Sequence, residues 1–241
     1  MITYKMVTHK GSREHNEDSG ICLEAGENFC FVVADGLGGH GKGEAASQKV
    51  IEVFEREFKA VYGNAEDLLN IAFCSAQGEI LAQQQKCGSK LDMKTTAVCL
   101  CITGKYCQWG HIGDSRLYVF RKNKIFRRTL DHSVPQMLVL SGEIKDRHIS
   151  AHPDRNRLLR VIGVDWDSPR YELSEPLSLA DCQAFLLCTD GFWEYIEHKK
   201  MCGFLKKSKT ADEWLNLMTA EVEKNGKGRD MDNYTAITVM N

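Results

Sequence analysis

Between residues 95 and 130 the sequence has four apolar stretches separated only by short polar connections. The stretches are "TTAVCLCITG", "YCQWGHIG", "SRLYVFR" and "KIFRRTL", and the connections are "TGKY", "GDSR" and "RKNK". Strands joined by connections of about two to five residues pair antiparallel, because parallel pairing needs a crossover of roughly a dozen residues or more. The sequence therefore predicts an antiparallel meander and disfavours the alternating strand–helix order of a parallel α/β fold.

Three other segments repeat apolar residues with the period of an α-helix, and Gly63-Asn64 separates the first two. The three stripes are Ala46, Val50, Phe54, Phe58 and Val61; Ala65, Leu69, Ala72, Ala76 and Ile80; and Trp214, Leu215, Met218 and Val222. Further strands are predicted at "FCFVVAD", "AFLLCTDG" and "YTAITVM". Runs of strands with helices before and after them are typical of α+β proteins. We predict two antiparallel sheets packed face to face, with helices on both outer sides.

The composition is that of an ordinary globular protein, and one domain is expected over residues 1–241. Of its 241 residues, 43% are apolar and 27% are charged, and the net charge of −2 gives no global positive field for nucleic acid. The longest apolar run, "AVCLCI", is far shorter than the ~20 residues of a membrane span. The N-terminal stretch "MITYKMVTHKGSREHNED" lacks the apolar core of a signal peptide.

The cysteines are predicted to be reduced. The ten cysteines fall mostly inside apolar runs, and no C-x-x-C pair is present. A free cysteine in such a run behaves as a small hydrophobic residue, and a structural zinc site is disfavoured. Because reduced thiols persist inside cells, we expect a cytoplasmic protein. We also expect a monomer that has no membrane or nucleic-acid partner.

The glycine-rich stretch "GLGGHGKG" follows a predicted strand and comes close to a P-loop. Gly36, Gly41 and Lys42 fit the pattern, but Gly43 stands where a magnesium-binding Ser or Thr is needed. A P-loop also belongs to a parallel sheet. A nucleotide site on Lys42 is therefore disfavoured, and Asp35, directly before the glycines, is of greater interest.

Carboxylates recur at predicted strand ends. They are Asp35 after "FVVA", Asp114 in "GDSR", Asp190 in "TDG", Asp232 before "NYTAITV", and Glu17-Asp18 in "SREHNED". A single Asp-Gly is usually a turn, but five such places brought together by a sheet favour a site for Mg²⁺ or Mn²⁺, which prefer oxygen ligands. Phosphoryl chemistry also needs a planar cation for phosphate oxygens and an acid for the leaving group, for which Arg13 and His40 are suitably placed in sequence.

In combination, these motifs resemble the metal-dependent serine/threonine phosphatases of the protein phosphatase 2C type, including the compact bacterial members. The motifs, in the order of that family, are "REHNED", "VADGLGGHGKGE", "TTAVCLCI", "GHIGDSRLYVF", "LDHS", "NRLLRVIG", "LLCTDGFWE" and "DNYTAITV". The resemblance covers nearly the whole chain. It implies a four-layer αββα sandwich, two central antiparallel sheets flanked by helix pairs, and phosphorylated protein substrates of a cognate kinase.

The resemblance also implies roles for individual residues. Asp35 would bridge two Mn²⁺ or Mg²⁺ ions, the carbonyl of Gly36 would complete one shell, and Asp190 and Asp232 would ligate the other ion. Glu17 and Asp18 would ligate directly or through water, and Asp114 with Asp190 would form a third metal site. A water activated by the ions would attack phosphorus. Arg13 would bind the phosphate, and His40 would protonate the departing oxygen.

Several positions remain open. Glu194 stands where many relatives carry Asp, and Asp230 is an alternative to Asp232. Residues 134–152 align with the variable flap of the family, where Arg147, His148 and His152 are candidates for substrate contact. The competing functions are a catalytically silent phosphatase-like binding module and, more remotely, a P-loop NTPase.

Overall fold

The computed structural model describes residues 2–38, 41–60, 63–88 and 92–241. The strands are β1 (Thr3–His9), β2 (Ser19–Ala25), β3 (Asn28–Ala34), β4 (Gly36–Leu37), β5 (Lys94–Thr95), β6 (Ala97–Thr103), β7 (Tyr106–Ile112), β8 (Arg116–Arg121), β9 (Lys124–Arg128), β10 (Glu172–Leu173), β11 (Leu177–Ser178), β12 (Ala184–Cys188) and β13 (Tyr234–Met240). The helices are α1 (Lys42–Ala60), α2 (Ala65–Cys87), α3 (Val134–Leu140), α4 (Asp190–Trp193), α5 (His198–Lys207) and α6 (Ala211–Gly226).

Two antiparallel sheets form the centre of the molecule, and helices cover both outer faces. One sheet has the order β1-β13-β12-β8-β9, and the other has the order β10-β7-β6-β3-β2, with β11 also on β7. Helices α1 and α2 pack against the second sheet, while α5 and α6 pack with the first. The predicted α+β class and its four-layer αββα sandwich are confirmed.

The layers follow from the alternation of side chains along each strand. In β3, Phe31 and Val33 face the other sheet, whereas Cys30 and Val32 face α1 and α2. Successive strand side chains point to opposite faces, so a strand that is apolar at every position must be covered on both sides. The continuous run "FCFVVA" is therefore the sequence signature of a central strand between a helix layer and a second sheet.

The three predicted helical stripes lie on α1, α2 and α6. Asn64 caps the N-terminus of α2, because its side chain accepts a hydrogen bond at 3.1 Å from the backbone N–H of Asp67. The second helix therefore begins directly after the predicted break. Val61, the last residue of the first stripe, lies outside the described residues. The sequence did not predict α3, α4 or α5, which are short.

The prediction of one continuous antiparallel meander is wrong at one connection. Strands β6 and β7 pair, and β8 and β9 pair, but β7 and β8 belong to different sheets. The chain turns between them at Gly113, whose φ of +99° favours glycine and whose added Cβ would lie 2.5 Å from Thr96. This sharp turn carries the chain from one sheet to the other and places Asp114 at the crossing.

Other sequence expectations concern the cysteines and the flap. All ten cysteines are free thiols. No helix of the described ranges has both the length and the apolar character needed to cross a membrane.

The flap 134–152 contains α3 and a short 3₁₀ turn at Asp146–His148. Ser133 caps α3 by accepting a hydrogen bond from Gln136 N–H at 3.4 Å.

Candidate active site

Strand ends from both sheets meet at one end of the sandwich around a pocket of about 370 Å³. Asp35 and Asp114 follow β3 and β7 of one sheet, whereas Asp190 follows β12 and Asp232 precedes β13 of the other. The predicted site residues on its lining are Arg13, Glu17, Asp35, Gly36, Asp114, Asp190 and Asp232. Residues as distant in sequence as Arg13 and Asp232, which are 219 positions apart, are thus brought together. We call this pocket the acidic pocket.

Asn233 fixes the N-terminal loop that carries Arg13 and Glu17. Its side-chain amide donates to the carbonyl oxygens of Lys10 and His15, each at 2.9 Å, and its Oδ1 accepts from Glu17 N–H at 2.7 Å. One side chain thereby satisfies three backbone groups of a loop that has no regular structure. In the sequence, Asn233 stands out only as part of the motif "DNYTAITV", so this role was not predicted.

The backbone around Asp35 and Gly36 is held too tightly for any side chain at position 36. Asp35 N–H donates to Thr96 Oγ1 at 3.1 Å, and Gly36 N–H donates to the carbonyl of Glu17 at 3.2 Å. A Cβ on Gly36 would lie 2.3 Å from the carbonyl oxygen of Gly43 and 2.5 Å from that of Glu17. The first glycine of "GLGGHGKG" is therefore required by close backbone approach beside the acidic pocket.

The same stretch does not form a nucleotide loop. Gly36–Leu37 is a strand that pairs antiparallel with Lys94–Thr95, and α1 begins at Lys42. The Lys42 ammonium lies 3.1 Å from Asp92 Oδ2 in an exposed ion pair. The predicted proton donor, His40, lies outside the described residues.

Arg13 and Asp232 are paired with each other. Arg13 Nε and Nη2 donate to Asp232 Oδ1 and Oδ2, each at 3.0 Å, and the two side chains are 46% and 42% exposed. This bidentate geometry is the one by which a guanidinium also recognises phosphate. Asp230, the alternative to Asp232, is exposed and does not line the acidic pocket.

Asp190 begins α4, which is seated closely on the start of β13. A Cβ on Gly191 would lie 2.1 Å from the carbonyl oxygen of Asn233, so only glycine permits this contact. Asp190 Oδ1 is buried and, among the described residues, has no hydrogen-bond partner. An unpartnered buried carboxylate oxygen is costly unless a cation compensates it.

A buried network supports Asp114. The indole Nε1 of Trp193 donates to the carbonyl oxygen of Asp114 at 3.0 Å, and the guanidinium of Arg116 lies 3.3 Å from the centre of the Trp193 ring. Arg116 in turn donates to both carboxylate oxygens of Asp131, at 2.7 and 2.6 Å. The network joins α4 to the β7–β8 crossing, so it fixes Asp190 and Asp114 relative to each other.

Asp18 lies behind the acidic pocket and is not one of its lining residues. Its Oδ2 accepts from the Thr189 hydroxyl at 2.8 Å, directly before Asp190. Glu194 also does not line the pocket and lies 3.3 Å from Arg155 Nε. Arg147 lines a separate groove, and His148 and His152 do not line the acidic pocket. Asn156 and Leu158, in the quoted motif "NRLLRVIG", do line it, although the sequence had given them no role.

Burial and mutual repulsion raise the pKa values of these acids. Burial and the charges of Asp190 and Asp232 raise the pKa of Asp18 to about 8, and burial with the charge of Asp232 raises that of Asp190 to about 6. The pKa of Asp35 is raised well above its usual value by burial and by Asp18, Asp190, Asp114 and Asp232. The charged forms therefore repel one another, and oxygen-rich, negatively charged donors fit a hard divalent cation.

Among the described residues, two clusters of possible metal ligands lie outside the acidic pocket. The described groups whose ligand atoms all lie within 4.8 Å of one another are elsewhere: Cys30, Cys99 and Cys101 in the core, and His111, His132 and Glu172. In the latter group His132 Nδ1 accepts from Gly113 N–H at 3.2 Å, so the neutral ring carries its proton on Nε2. That nitrogen then lacks the lone pair that a metal ligand needs.

We expect the free energy of unfolding of the EDTA-treated protein to fall as pH rises from 6 to 8.5. Unfolded Asp and Glu have pKa values of about 4, whereas folded Asp190 and Asp18 titrate at about 6 and about 8. The folded chain thus holds more protons on these two acids in this window, and each extra proton contributes a slope of about 1.4 kcal/mol per pH unit. Burial lowers the pKa of His111, His132 and His198, which opposes this slope near pH 6, so the fall should be steepest above pH 7. Urea unfolding at several pH values measures this slope. Asp18→Asn should flatten it, and a slope of the opposite sign would contradict the raised pKa values.

Comparisons with known proteins identify the family and agree with the fold. A sequence model described as protein phosphatase 2C matches residues 7–230. The serine/threonine phosphatase stp of Listeria monocytogenes is 29% identical over 233 residues, which are 94% of this chain and 90% of that protein. The crystal structure of the serine/threonine phosphatase Stp1 from Staphylococcus aureus superposes with a TM-score of 0.87 at 28% identity, covering 100% of this chain and 95% of that chain.

A further solved structure shows the same fold at lower identity. It is the catalytic domain of the serine/threonine protein phosphatase PstP in complex with two manganese ions, with a TM-score of 0.82 at 24% identity, covering 99% of this chain and 97% of that chain. The family model spans nearly the whole chain, and the fold agrees over its full length. The chain therefore belongs to the protein phosphatase 2C family, a family of metal-dependent serine/threonine phosphatases.

Proposed function

We propose that the acidic pocket hydrolyses phosphoserine and phosphothreonine in phosphorylated proteins with two divalent cations, Mn²⁺ or Mg²⁺. The observation that carries the proposal is a pocket that four aspartates line, in which the buried Oδ1 of Asp190 has no hydrogen-bond partner among the described residues. When bound, two such ions would lower the pKa of a water molecule and stabilise charge on the phosphate. All the carboxylates to which the resemblance assigns a metal role are present in this sequence, so a silent binding module is not favoured.

In this proposal, Asp35, Asp190, Asp232 and the carbonyl of Gly36 hold the two ions. Asp114, with Asp190, would serve a third ion. Glu17 lines the pocket, where it would orient water. Asp18 is better placed as a support, since its contact with the Thr189 hydroxyl fixes the residue before Asp190.

Arg13 would bind the phosphate through the same two donors that now contact Asp232. Its guanidinium lines the acidic pocket and is about half exposed, so a phosphate can reach it without rearrangement of the core. A phosphate that exchanges with Asp232 for these donors would leave that carboxylate free to ligate. His40 would supply the proton to the departing serine or threonine oxygen, a role that rests on its position in the sequence.

The experiment is hydrolysis of p-nitrophenyl phosphate and of a phosphothreonine peptide by protein treated with EDTA. We expect no hydrolysis until Mn²⁺ or Mg²⁺ is restored, and isothermal titration should give at least two ions per chain. Asp190→Asn should weaken both metal binding and turnover, whereas the exposed Asp230→Asn should change neither. Hydrolysis that resists EDTA would contradict the proposal, and metal binding without turnover would favour the silent module.

A further inference from the structure

A second groove opens directly from the acidic pocket. It has a volume of about 380 Å³ and shares three lining residues with that pocket: Leu37, Asn156 and Leu158. We call it the side groove; Lys94, Arg170 and the segment between Asn156 and Trp166 complete its wall. Among the residues that the structure describes, the larger groove beside α4 and α5 shares no lining residue with the acidic pocket.

The side groove leaves apolar side chains in contact with solvent. Leu159 is 47% exposed and Val164 is 41% exposed, next to Leu158, Val161 and Trp166. Single exposed apolar residues are ordinary on protein surfaces, but a contiguous group beside a reaction pocket is typical of a binding surface. Such a surface is suited to an apolar side chain of a ligand.

The floor of the side groove is held in place by hydrogen bonds. Thr95 and Ile162 exchange backbone hydrogen bonds at 2.9 and 3.1 Å, which fixes the segment against β5. From α2, Gln84 Nε2 donates to the carbonyl of Gly163 at 2.7 Å, and Gln77 Nε2 donates to that of Val164 at 2.6 Å. Because the groove is already formed, a ligand need not order it on binding.

The charges that line the side groove are positive. Lys94, Arg160 and Arg170 line it, and its described lining residues include no carboxylate. Arg160 lies 3.0 Å from Glu172. Lys94 and Arg170 have no ion-pair partner among the described residues that line the groove. Asp165 and Asp167 lie on the same loop but do not line the groove.

We propose that the side groove binds the segment of a phosphoprotein next to its phosphorylated residue, and that it favours a segment with one apolar and one acidic side chain. This rests on the proposed function, since the phosphate must occupy the acidic pocket. An extended chain advances about 3.3 Å per residue, so the neighbours of the phosphorylated residue reach an adjoining groove. Apolar contact with Leu159 and Val164, and charge pairing with Arg170 and Lys94, provide the preference.

The test compares pairs of phosphothreonine peptides. Within a pair, one peptide has Leu and Glu at two neighbouring positions and the other has Ser and Gln there. One pair carries these positions before the phosphothreonine, and a second pair carries them after it. We expect kcat/KM to be about tenfold higher for the Leu/Glu peptide on one of the sides. The double variant Leu159→Ser/Arg170→Glu should reduce that ratio to about one. Its rate with p-nitrophenyl phosphate should stay within about twofold of the unaltered protein, because that substrate is too small to reach the groove.

The matched control is Lys105→Glu, a charge reversal in the turn before β7, at the opposite end of that strand from Asp114. It should leave the peptide ratio unchanged. Equal kcat/KM for both peptides, or a ratio that survives in the double variant, would overturn the proposal. Binding of the same peptides is measured in parallel by fluorescence anisotropy. If turnover is absent, the proposed function fails, while an affinity ratio that depends on Arg170 would still support the groove.

Discussion

Asp35→Asn is expected to reduce hydrolysis of p-nitrophenyl phosphate by about a thousandfold or more and, at the same time, to stabilise the EDTA-treated protein. Metal ions contribute several kcal/mol to such reactions, and each 1.36 kcal/mol is a factor of ten in rate, so the loss of a carboxylate that would hold them has a large effect. Asn has nearly the same shape and keeps the backbone hydrogen bond to Thr96.

The gain in stability follows from the same geometry. Burial and four neighbouring carboxylates raise the pKa of Asp35, so its charged form is disfavoured in the folded chain at neutral pH. Asn is neutral without taking up a proton on folding, so Asp35→Asn should increase the free energy of unfolding by about 1 kcal/mol, the range usual when a strained functional site is relieved. The opposite signs of the two effects distinguish a functional carboxylate from a structural one.

Thermal unfolding with EDTA and with Mn²⁺ measures the second effect. In the unaltered protein Mn²⁺ should raise the melting temperature, and in Asp35→Asn most of that increase should be lost. The control Asp92→Asn removes an exposed carboxylate that pairs with Lys42 and should change neither rate nor metal response. Full activity in Asp35→Asn, or a lower stability without metal, would exclude Asp35 as a metal ligand.

The layers of the fold could be predicted because they depend on local patterns. An all-apolar run such as residues 29–34 requires cover on both faces, and the helical stripes of α1, α2 and α6 each present one face to a sheet. The short helix α4 has four residues and no periodicity to detect. The crossing at Gly113 looks like a hairpin turn in sequence, because its three residues are within the usual length of a hairpin loop. The φ of +99° at that glycine and its close approach to Thr96 are visible only in the structure.

The candidate site could be predicted as a set of residues but not as a set of contacts. A carboxylate directly after an apolar strand has a local signature, which is why Asp35 and Asp190 stood out. The pairing of Arg13 with Asp232 joins residues 219 apart and has no signature of its own. The same is true of Asn233, whose side chain secures a loop more than two hundred residues earlier.

The largest expected effect on stability is that of Arg116→Met. The Arg116 and Asp131 side chains are 5% and 1% exposed, and the guanidinium donates to both carboxylate oxygens while it covers Trp193. Removing one partner leaves a buried charge without compensation, which costs about 3–5 kcal/mol. Urea unfolding of the metal-free protein measures the loss.

Two further variants distinguish the loss of the ion pair itself from the cost of leaving Asp131 buried without its counter-charge. Arg116→Met/Asp131→Leu removes both charges and should recover most of the stability, because a buried pair replaced by apolar residues is often close to neutral. Arg121→Met, at the other end of β8, breaks an exposed pair with Asp181 and should cost less than about 1 kcal/mol. If Arg116→Met cost no more than Arg121→Met, Asp131 would have another source of compensation. If the double variant folded but hydrolysed poorly, the pair would serve chiefly to hold Trp193 against the carbonyl of Asp114, and through it the aspartates of both sheets.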